Sequence, residues 1–396
     1  MRTLRLKKNE DRRLISGHLW IYSNEIDNTL TPLNNFQAGD EVIIINAKNM
    51  PIAKGYVNPH SLIAVRIMTR QPEENIDKVF FVQKILQAVS IRQRLFKKPF
   101  YRLIYGESDG LPGLIADRYH ETLVLQINTA GLDVKTPMII EAFRQALPEI
   151  EHILLRNDSP ARLQEGLNCF VDIGFGHPPQ QVQLEENHTL FKAPIWEGQK
   201  TGWFFDHRFN RLRLKDYVAQ QSVLDVFSYL GAWGIQAGTF GATAVTFIDA
   251  SPMTKQFIEE NILLNKLQMD TKIIIDDAFK ALKNLIHTKA KFNVIIVDPP
   301  AFVKKNKDLK EGLLAYQRIY EAALKLLDTN GILIACSCSM HVSYDALIES
   351  LRRASFNSHA AIQILERGHQ AADHPVHLSI PETDYLKMVI VRKSDN

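Results

Sequence analysis

Short apolar runs broken by turn residues occupy the first seventy residues or so of the chain. The runs cover residues 41–46, 52–56 and 62–68, and Asn58-Pro59-His60 separates the last two. Apolar runs of this length between turn residues are typical of β-strands. The pattern predicts a small β-barrel, and apolar residues at helical spacing over 77–96 predict a helix that follows it.

The next stretch, about residues 100–185, combines strand and helix patterns. Two short apolar strands flank a loop that contains Gly106, Gly110, Pro112 and Gly113. A strand over 122–127 and an amphipathic helix over 135–147 come next. This mixture predicts an α+β unit, which the preceding helix connects to the barrel.

From about residue 221 strands and helices alternate with a regularity that the earlier parts lack. The predicted strands cover residues 223–227, 244–250, 272–275, 293–297 and 331–336, and the predicted helices between them include 255–266 and 313–327. Such alternation means βαβ units and a parallel sheet that helices cover on both faces. Residues 385–392 add a final strand that follows no helix directly.

The length of 396 residues exceeds the size at which one hydrophobic core stops growing, so more than one domain is expected. The changes of pattern place the boundaries near residues 72 and 185. We therefore expect a β-barrel at 1–72, an α+β connecting domain at 73–185 and an α/β domain at 186–396.

Composition excludes several classes of protein. Hydrophobic residues make up 45% and charged residues 23%, and no apolar run approaches the roughly 20 residues that span a bilayer. The charged N-terminus lacks the apolar segment of a secretory signal. The three cysteines, Cys169, Cys336 and Cys338, form no CxxC pair, which argues against disulfides and against a zinc site. We expect a cytoplasmic protein with free thiols and no metal.

Basic residues are concentrated in two places, although the net charge is only +3. The first cluster, within residues 1–13, contains Arg2, Arg5, Lys7, Lys8, Arg12 and Arg13. The second contains Lys304, Lys305, Lys307 and Lys310. Each cluster alone is equally compatible with solvated surface charge and with a polyanionic partner.

The ends of the predicted parallel strands carry the candidate chemistry, because ligands bind beyond the carboxyl ends of such strands. The first strand contains Asp225 and runs into a loop with Gly231 and Gly234, whose spacing differs from the dinucleotide-binding G-x-G-x-x-G. The second ends in Asp249, where a carboxylate can accept both hydroxyls of a ribose or precede a helix as its cap.

Two further strand ends carry carboxylates. The third strand is followed by Asp277, which could accept an adenine amino group, and the fourth by Asp298-Pro299-Pro300. The two prolines stiffen a backbone that leaves the sheet and presents its carbonyl groups to a planar substrate.

Together these motifs resemble the class I methyltransferases, and within them the bacterial large-subunit ribosomal RNA methyltransferase I family, which makes 5-methylcytosine. The resemblance runs along the whole chain. It is carried by Arg12-Arg13 with residues 17–23, which are similar to the family's PUA-type RNA-binding barrel, by residues 106–113, by residues 200–208, by the strand-end aspartates and by residues 370–375.

The resemblance implies a Rossmann-like domain with a seven-stranded, mostly parallel sheet, preceded by a PUA-like barrel and an α+β connecting domain. It implies S-adenosylmethionine as cofactor and 23S ribosomal RNA as partner, with no membrane, and it leaves a homodimer open. The residues that it places at the cofactor are Asp225, Phe227, Ser228, Gly231, Asp249, Asp277, Asp298, Lys200, Thr201, Gly202, Asp206 and Arg208. At His207 the chain departs from the family's glutamine, and neither this position nor residues 370–375 receive a role.

Cys338 is the candidate nucleophile. Carbon 5 of cytosine accepts a methyl group only after a nucleophile adds to carbon 6, and a thiolate suits that step. Cys336 lies inside the predicted strand, so it is expected to be a buried small apolar residue, whereas Cys338 lies near the carboxyl end. Cys338 also matches the family's Ser-Cys-Ser nucleophile position, and Asp298 on the neighbouring strand could hydrogen-bond N3 or the amino group of cytosine. Cys169 is expected to be structural.

Two other functions compete with this hypothesis. A purine methyltransferase, such as the related guanine-N7 branch, would use the same cofactor site without needing Cys338. A non-catalytic RNA-binding protein would account for the barrel but not for four strand-end carboxylates. A nicotinamide dehydrogenase is disfavoured by the spacing of the glycines.

Overall fold

The computed structural model describes residues 2–394, and their tertiary contacts divide them into two units. Unit 1 contains the residues up to Val182 together with Pro194–Phe205 and Ala372–Thr383. Unit 2 contains Gln183–Ala193, Asp206–Ala371 and the residues from Asp384 onward. The division into three domains at residues 72 and 185 stays a prediction. Within the described part of the chain, no helix has both the length and the apolar character needed to cross a membrane.

Five strands at the start of unit 1 form a barrel, with a one-turn helix α1 (Arg12–Ile15) between the first two. They are β1 (Arg2–Arg5), β2 (Trp20–Tyr22), β3 (Glu41–Ile45), β4 (Pro51–Val57) and β5 (Ile63–Thr69), in the order β1-β3-β4-β5-β2. The amide of Asp27 donates to the carbonyl of Arg5 at 2.9 Å, and Leu6 pairs with Ile26. These bonds join β1 to the chain just after β2, which closes the sheet.

The barrel confirms the predicted fold class and adds two strands to the three expected. Alternate side chains point inward along β3, and the interior is filled by apolar residues that include Leu4, Ile21, Val42, Ile44, Val57, Val65 and Ile67. The sequence pattern missed β1 and β2 because they are only four and three residues long and carry charged or half-buried side chains.

The rest of unit 1 is built on a second five-stranded sheet. Its strands are β6 (Phe100–Tyr105), β7 (Leu114–Tyr119), β8 (Thr122–Ile127), β9 (His152–Asn157) and β10 (Phe170–Phe175), in the order β10-β9-β8-β7-β6. Four helices accompany it: α2 (Lys78–Leu95), α3 (Ala130–Asp133), α4 (Thr136–Ala146) and α5 (Pro160–Gln164). α2 begins where the Asp77 carboxylate accepts the amide of Phe80, and it packs against α4 over the buried strand residues.

The motif at residues 370–375 is split between the two units, because unit 2 includes the residues up to Ala371 and unit 1 includes Ala372–Thr383. Its Asp373 has a structural role within unit 1. Asp373 is fully buried, its Oδ2 accepts the amide of Arg102 at 3.0 Å, and its carbonyl accepts Arg92 Nη2 at 3.0 Å. Arg92 also forms a bidentate ion pair with Asp109, with distances of 2.6 and 2.7 Å. Asp373 therefore fastens Ala372–Thr383 to the first strand of the second sheet.

A hairpin of β11 (Gln181–Glu186) and β12 (Thr189–Pro194) follows. In unit 2 its turn supplies Glu186, whose buried carboxylate binds Arg211 Nε at 2.6 Å and Gln236 Nε2 at 2.8 Å. Asn187 Nδ2 donates to the carbonyl of Arg208 at 2.9 Å. The hairpin thus anchors helix α6 (Arg208–Leu212), which leads into the large sheet of unit 2.

Unit 2 contains a seven-stranded, mostly parallel sheet. Its strands are β13 (Ser222–Val226), β14 (Ala244–Asp249), β15 (Asp270–Ile275), β16 (Phe292–Val297), β17 (Leu327–Ser337), β18 (Ala361–His369) and β19 (Lys387–Ser394), in the order β15-β14-β13-β16-β17-β19-β18. The first five are parallel, and β19 runs antiparallel to both of its neighbours. The strand order reverses at β13, which therefore marks the edge where a ligand is expected.

Helices connect these strands and bury their side chains. They are α7 (Ala232–Thr239), α8 (Met253–Leu264), α9 (Ala278–His287), α10 (Leu309–Leu326) and α11 (Tyr344–Asn357). The central strands are apolar on both faces, as a sheet covered on both sides requires. The Rossmann-like fold with seven strands is confirmed, and the sequence pattern missed β18, most of whose side chains are exposed or half-buried.

Candidate functional site

The carboxyl ends of the central strands lie level with one another. Val226 of β13 pairs with Ile248 of β14 and with Val297 of β16. Asp249 is the next residue after Ile248, and Asp298 is the next after Val297. Parallel register therefore brings both aspartates to one edge of the sheet, on either side of the loop that leaves β13.

That loop has a strained backbone. Phe227 has a φ of 67° and Tyr229 a φ of 51°, values that residues with a side chain rarely adopt, and Gly231 has a φ of 79°. A side chain at Gly234 would come within 2.2 Å of the Phe247 ring. Strain of this kind persists only where the surroundings impose it, and it concentrates at binding sites.

Asp225 lies beneath this loop. It is fully buried, and its Oδ2 accepts the amide of Gly234 at 2.9 Å. Its Oδ1 is also buried and has no hydrogen-bond partner among residues 2–394. Burial raises the pKa of Asp225 to about 7, with further contributions from Asp298 and Asp249.

Asp249 and Ser228 hold the loop from the β14 side. The two carboxylate oxygens of Asp249 accept the amides of Tyr229 and Ser251, each at 2.9 Å. The Ser228 hydroxyl donates to the carbonyl of Asp225 at 2.8 Å and accepts the amide of Ile248 at 3.0 Å. Asp249 therefore shapes the loop, while each of its oxygens keeps acceptor capacity for a ligand.

Asp277 is the exposed member of the four strand-end aspartates. Its carboxylate caps α9 by accepting the amide of Lys280 at 3.0 Å. Phe279 follows it and lies 6.3 Å from the ring of Phe302, which is also 6.3 Å from Phe227. Three neighbouring aromatic rings thus lie on the segments that follow β13, β15 and β16.

Asp298 is held by two ring nitrogens. Trp233 Nε1 donates to its Oδ2 at 3.0 Å, and His207 Nε2 lies 3.2 Å from its Oδ1. Burial works against the charged form, but His207 and the hydrogen bonds from His207 and Trp233 prevail and hold the pKa of Asp298 below its ordinary value. Sequence reasoning gave His207 no role and did not consider Trp233. The available signal was that the resemblance led us to expect glutamine at position 207, where the chain has histidine.

The two thiols of β17 differ in their surroundings. Cys336 is fully buried, and burial raises its pKa well above the ordinary value, with Asp298 and Cys338 adding to the effect. Cys338 is half-buried just after the strand, and its Sγ lies 3.7 Å from the carbonyl oxygen of Pro299. Cys338 thus contacts the loop after β16, whereas Cys169 is exposed in unit 1.

The residues on either side of Cys338 are fixed in place. The Ser339 hydroxyl accepts the amide of Val303 at 3.2 Å and lies 3.0 Å from the Tyr316 hydroxyl, to which Ser337 also donates. The buried amine of Lys387 donates to the carbonyl of Ser339 at 3.1 Å. These bonds tie the end of β17 to the loop that carries Asp298-Pro299-Pro300.

The residues predicted from the segment 200–208 fall into different units. In unit 2 the Tyr385 hydroxyl donates to Asp206, and Arg208 Nε lies 3.7 Å from Glu186. In unit 1 the Thr201 hydroxyl is buried against Asp117, Gly202 has a φ of 106°, and Lys200 lies over the ring of Phe204.

Among the described residues, one group of three could offer ligand atoms to a metal ion. It contains His207, Asp298 and Cys336, whose ligand atoms lie within 4.8 Å of one another. A structural zinc site uses four ligands, and the raised pKa of Cys336 disfavours the thiolate that a metal would need.

Family models match two parts of the chain. A model described as a PUA-like domain matches residues 4–70, which contain most of the barrel. A model described as conserved hypothetical protein 95 matches residues 206–354, which contain the parallel strands of unit 2.

Curated relatives match nearly the full length. The ribosomal RNA large subunit methyltransferase I of Shigella boydii serotype 18 is 33% identical over 387 residues, which are 96% of this chain and 97% of the relative. The chain belongs to the ribosomal RNA large subunit methyltransferase I family. Its relative of the same name from Escherichia coli O139:H28 is 34% identical with the same coverage.

Solved structures resemble this methyltransferase I family member in fold. A protein described as a candidate SAM-dependent methyltransferase from Streptococcus mutans has a TM-score of 0.83 and 19% identity, and covers 99% of this chain and 100% of its own. Another candidate methyltransferase, complexed with SAH, has a TM-score of 0.84 at the same identity and coverage. Trm5b from Pyrococcus abyssi has a TM-score of 0.54 and 16% identity, and covers 71% of this chain and 75% of its own.

Proposed function

We propose that this protein transfers a methyl group from S-adenosylmethionine to carbon 5 of a cytosine in large-subunit ribosomal RNA, with Cys338 as the nucleophile. Membership in the methyltransferase I family supports the coarser activity, a SAM-dependent methyltransferase of that RNA. The observation that carries the finer assignment is the half-buried thiol of Cys338, 3.7 Å from the Pro299 carbonyl at the edge where the strand-end aspartates meet.

The residues at the end of β13 fit the cofactor. Asp225 Oδ1 is buried without a hydrogen-bond partner among the described residues, an arrangement that a ligand with N–H or O–H groups would relieve. Asp249 can accept ribose hydroxyls, and the rings of Phe227, Phe279 and Phe302 offer apolar surface for a purine. S-adenosylmethionine supplies a methyl group on a sulfonium, which is reactive toward a carbon nucleophile.

Cys338 makes the cytosine carbon reactive. Its thiolate adds to carbon 6, and the electron pair of the 5,6 double bond moves into the ring, so that carbon 5 becomes nucleophilic. After the methyl group has joined carbon 5, a base removes the proton from that carbon. The electrons then restore the double bond and expel the Cys338 thiolate. A thiol serves both as nucleophile and as leaving group, which a serine at this position would not do as well.

Asp298 lies on the neighbouring strand end and faces the same edge. Its pKa is held below the ordinary value, so it is a hydrogen-bond acceptor at neutral pH. The amino group of cytosine is a donor, and an acceptor facing it would fix the ring relative to Cys338.

The two basic clusters supply contacts for RNA. Lys304, Lys305, Lys307 and Lys310 are all exposed, and they follow Asp298-Pro299-Pro300 within a few residues. In the barrel, Lys8 and Arg12 are exposed as well. Exposed lysine and arginine side chains neutralise backbone phosphates, which gives affinity without sequence selection.

The test is to identify the product and its position. Purified protein is incubated with labelled S-adenosylmethionine and either large-subunit or small-subunit ribosomal RNA, and the digested nucleosides are separated. We expect label in 5-methylcytidine at one position of the large-subunit RNA. Label in 7-methylguanosine would support the purine alternative, and RNA binding without any methylation would support a non-catalytic protein.

A further inference from the structure

Each oxygen of the Asp298 carboxylate faces a ring nitrogen: Trp233 Nε1 donates to Oδ2 at 3.0 Å, and His207 Nε2 lies 3.2 Å from Oδ1. We propose that His207 is a positioning residue, which together with Trp233 fixes Asp298 as an acceptor for the amino group of the target base. The inference rests on the proposed function and adds a specificity-determining residue to it.

The surroundings of His207 determine which nitrogen carries its proton. Its Nδ1 lies 3.1 Å from Asn210 Nδ2, and an amide nitrogen can only donate. Nδ1 is therefore the acceptor toward Asn210, and the other ring nitrogen, Nε2, lies 3.2 Å from Asp298 Oδ1. The side chain is almost fully buried, so this contact is shielded from water.

Trp233 completes the arrangement. Its ring meets that of His207 edge to face, with centroids 5.3 Å apart, and its Nε1 donates to the second oxygen of Asp298 at 3.0 Å. Each ring thus orients the other while both orient the carboxylate. The Asp298 side chain remains 20% exposed, and that exposed part can accept one more hydrogen bond.

An acceptor without a proton of its own discriminates among pyrimidines. Cytosine presents an amino group at carbon 4, whereas uracil presents a carbonyl oxygen that the carboxylate would repel. If the donor from His207 is lost, the carboxyl group gains a proton more easily and could then donate to uracil. The His207 contact is therefore expected to affect the choice of base as well as the rate.

Two substitutions separate the hydrogen bond from the packing of the ring. His207→Gln keeps an N–H donor and loses the ring, and His207→Phe keeps a ring against Trp233 and loses the donor. In both, kcat and KM are measured with large-subunit ribosomal RNA transcript and labelled S-adenosylmethionine. Once the modified position is mapped, a transcript with uridine there is compared with the natural one.

We expect His207→Gln to keep kcat within about fivefold of the unsubstituted protein, and His207→Phe to lower kcat by about 30-fold or more with KM for S-adenosylmethionine nearly unchanged. The preference for cytidine over uridine should fall in His207→Phe only. Equal losses in both variants, or none in His207→Phe, would overturn the proposal.

Trp233→Phe provides a second measurement if His207→Phe does not fold, because it removes the other donor and keeps an aromatic ring. It should lower kcat in the same way, and an unchanged kcat would count against the arrangement. Product identity in the unsubstituted protein is recorded in parallel. A product other than 5-methylcytidine refutes the proposed function, whereas failure of the His207 assignment shows only in the comparison of variants.

Discussion

The Sγ atom of Cys338 lies 3.7 Å from the carbonyl oxygen of Pro299, although the two residues are 39 positions apart. The contact joins the end of β17 to the loop after β16, the two neighbouring strand ends that carry Cys338 and Asp298. Cys336, two residues earlier, has no such access because it is fully buried. The pair of thiols on one strand therefore gives an internal control for the proposed chemistry.

Replacing Cys338 with alanine should abolish methylation and leave cofactor and RNA binding near normal, because it removes an interaction made only along the reaction path. RNA in which cytidines are replaced by 5-fluorocytidine should form a denaturant-resistant adduct with the unsubstituted protein and none with Cys338→Ala. Cys336→Ala should keep the adduct and lose about 1 kcal/mol or more of unfolding free energy to the cavity. An adduct that requires Cys336 instead would reverse the assignment.

Asp249→Ala should weaken the binding of S-adenosylmethionine by about 1 to 3 kcal/mol, since buried polar partners would be left unpaired. Isothermal titration calorimetry measures the change. Asp270→Ala is the matched control, because that exposed carboxylate lies at the amino end of β15, away from the strand ends that carry the predicted cofactor residues. If Asp249→Ala bound the cofactor as tightly as the unsubstituted protein, Asp249 would have no part in the site.

The strand-end residues illustrate what the sequence could predict. Apolar runs followed by Asp225, Asp249, Asp277 and Asp298 indicated the parallel strands, and the parallel register then places three of these carboxylates at one edge. The same reasoning separated Cys336 from Cys338, because alternation and position along a strand are local properties.

Contacts between distant segments could not be predicted in this way. Pairing of His207 with Asp298 joins residues 91 positions apart, and no local pattern specifies it. Likewise the role of Asp373 depends on the amide of Arg102, 271 positions away. β1, β2 and β18 were missed because short or exposed strands lack the apolar runs on which the prediction relies.

Asp225 should make stability depend on pH. Its pKa is raised to about 7 in the folded protein from an ordinary value near 4, so the folded state binds the proton more tightly than the unfolded state. Unfolding free energy is therefore lost as pH rises from about 4 to about 7. Asp225→Asn removes this loss. Across that pH interval, its free energy of unfolding should therefore rise by on the order of 3 to 4 kcal/mol relative to that of the unsubstituted protein.

Denaturant unfolding of the two proteins between pH 4 and pH 8 measures the difference. Asp277→Asn is the matched control, because it makes the same substitution at an exposed side chain. A constant difference between Asp225→Asn and the unsubstituted protein at every pH would contradict the raised pKa.

The exposed lysines after the Asp298 loop should add to RNA affinity by neutralising phosphates. Lys305→Ala/Lys307→Ala should weaken the binding of large-subunit ribosomal RNA and reduce the slope of log K against log salt by roughly 0.7 to 0.9 for each phosphate that is no longer neutralised. Lys8→Ala/Arg12→Ala tests the barrel in the same way. Deleting the barrel would be a poorer test, since Tyr56 of β4 packs in the core of the second sheet.

Arg352→Ala/Arg353→Ala on α11 removes two exposed positive charges from outside both clusters and serves as the control for net charge. A fluorescence-anisotropy titration at several salt concentrations gives the slopes. Loss of these two charges should leave the slope unchanged, because counterions are released only where a side chain meets a phosphate. If the double variants kept the slope of the unsubstituted protein, their lysines would be solvated surface charge, and the RNA would have to be held by other residues.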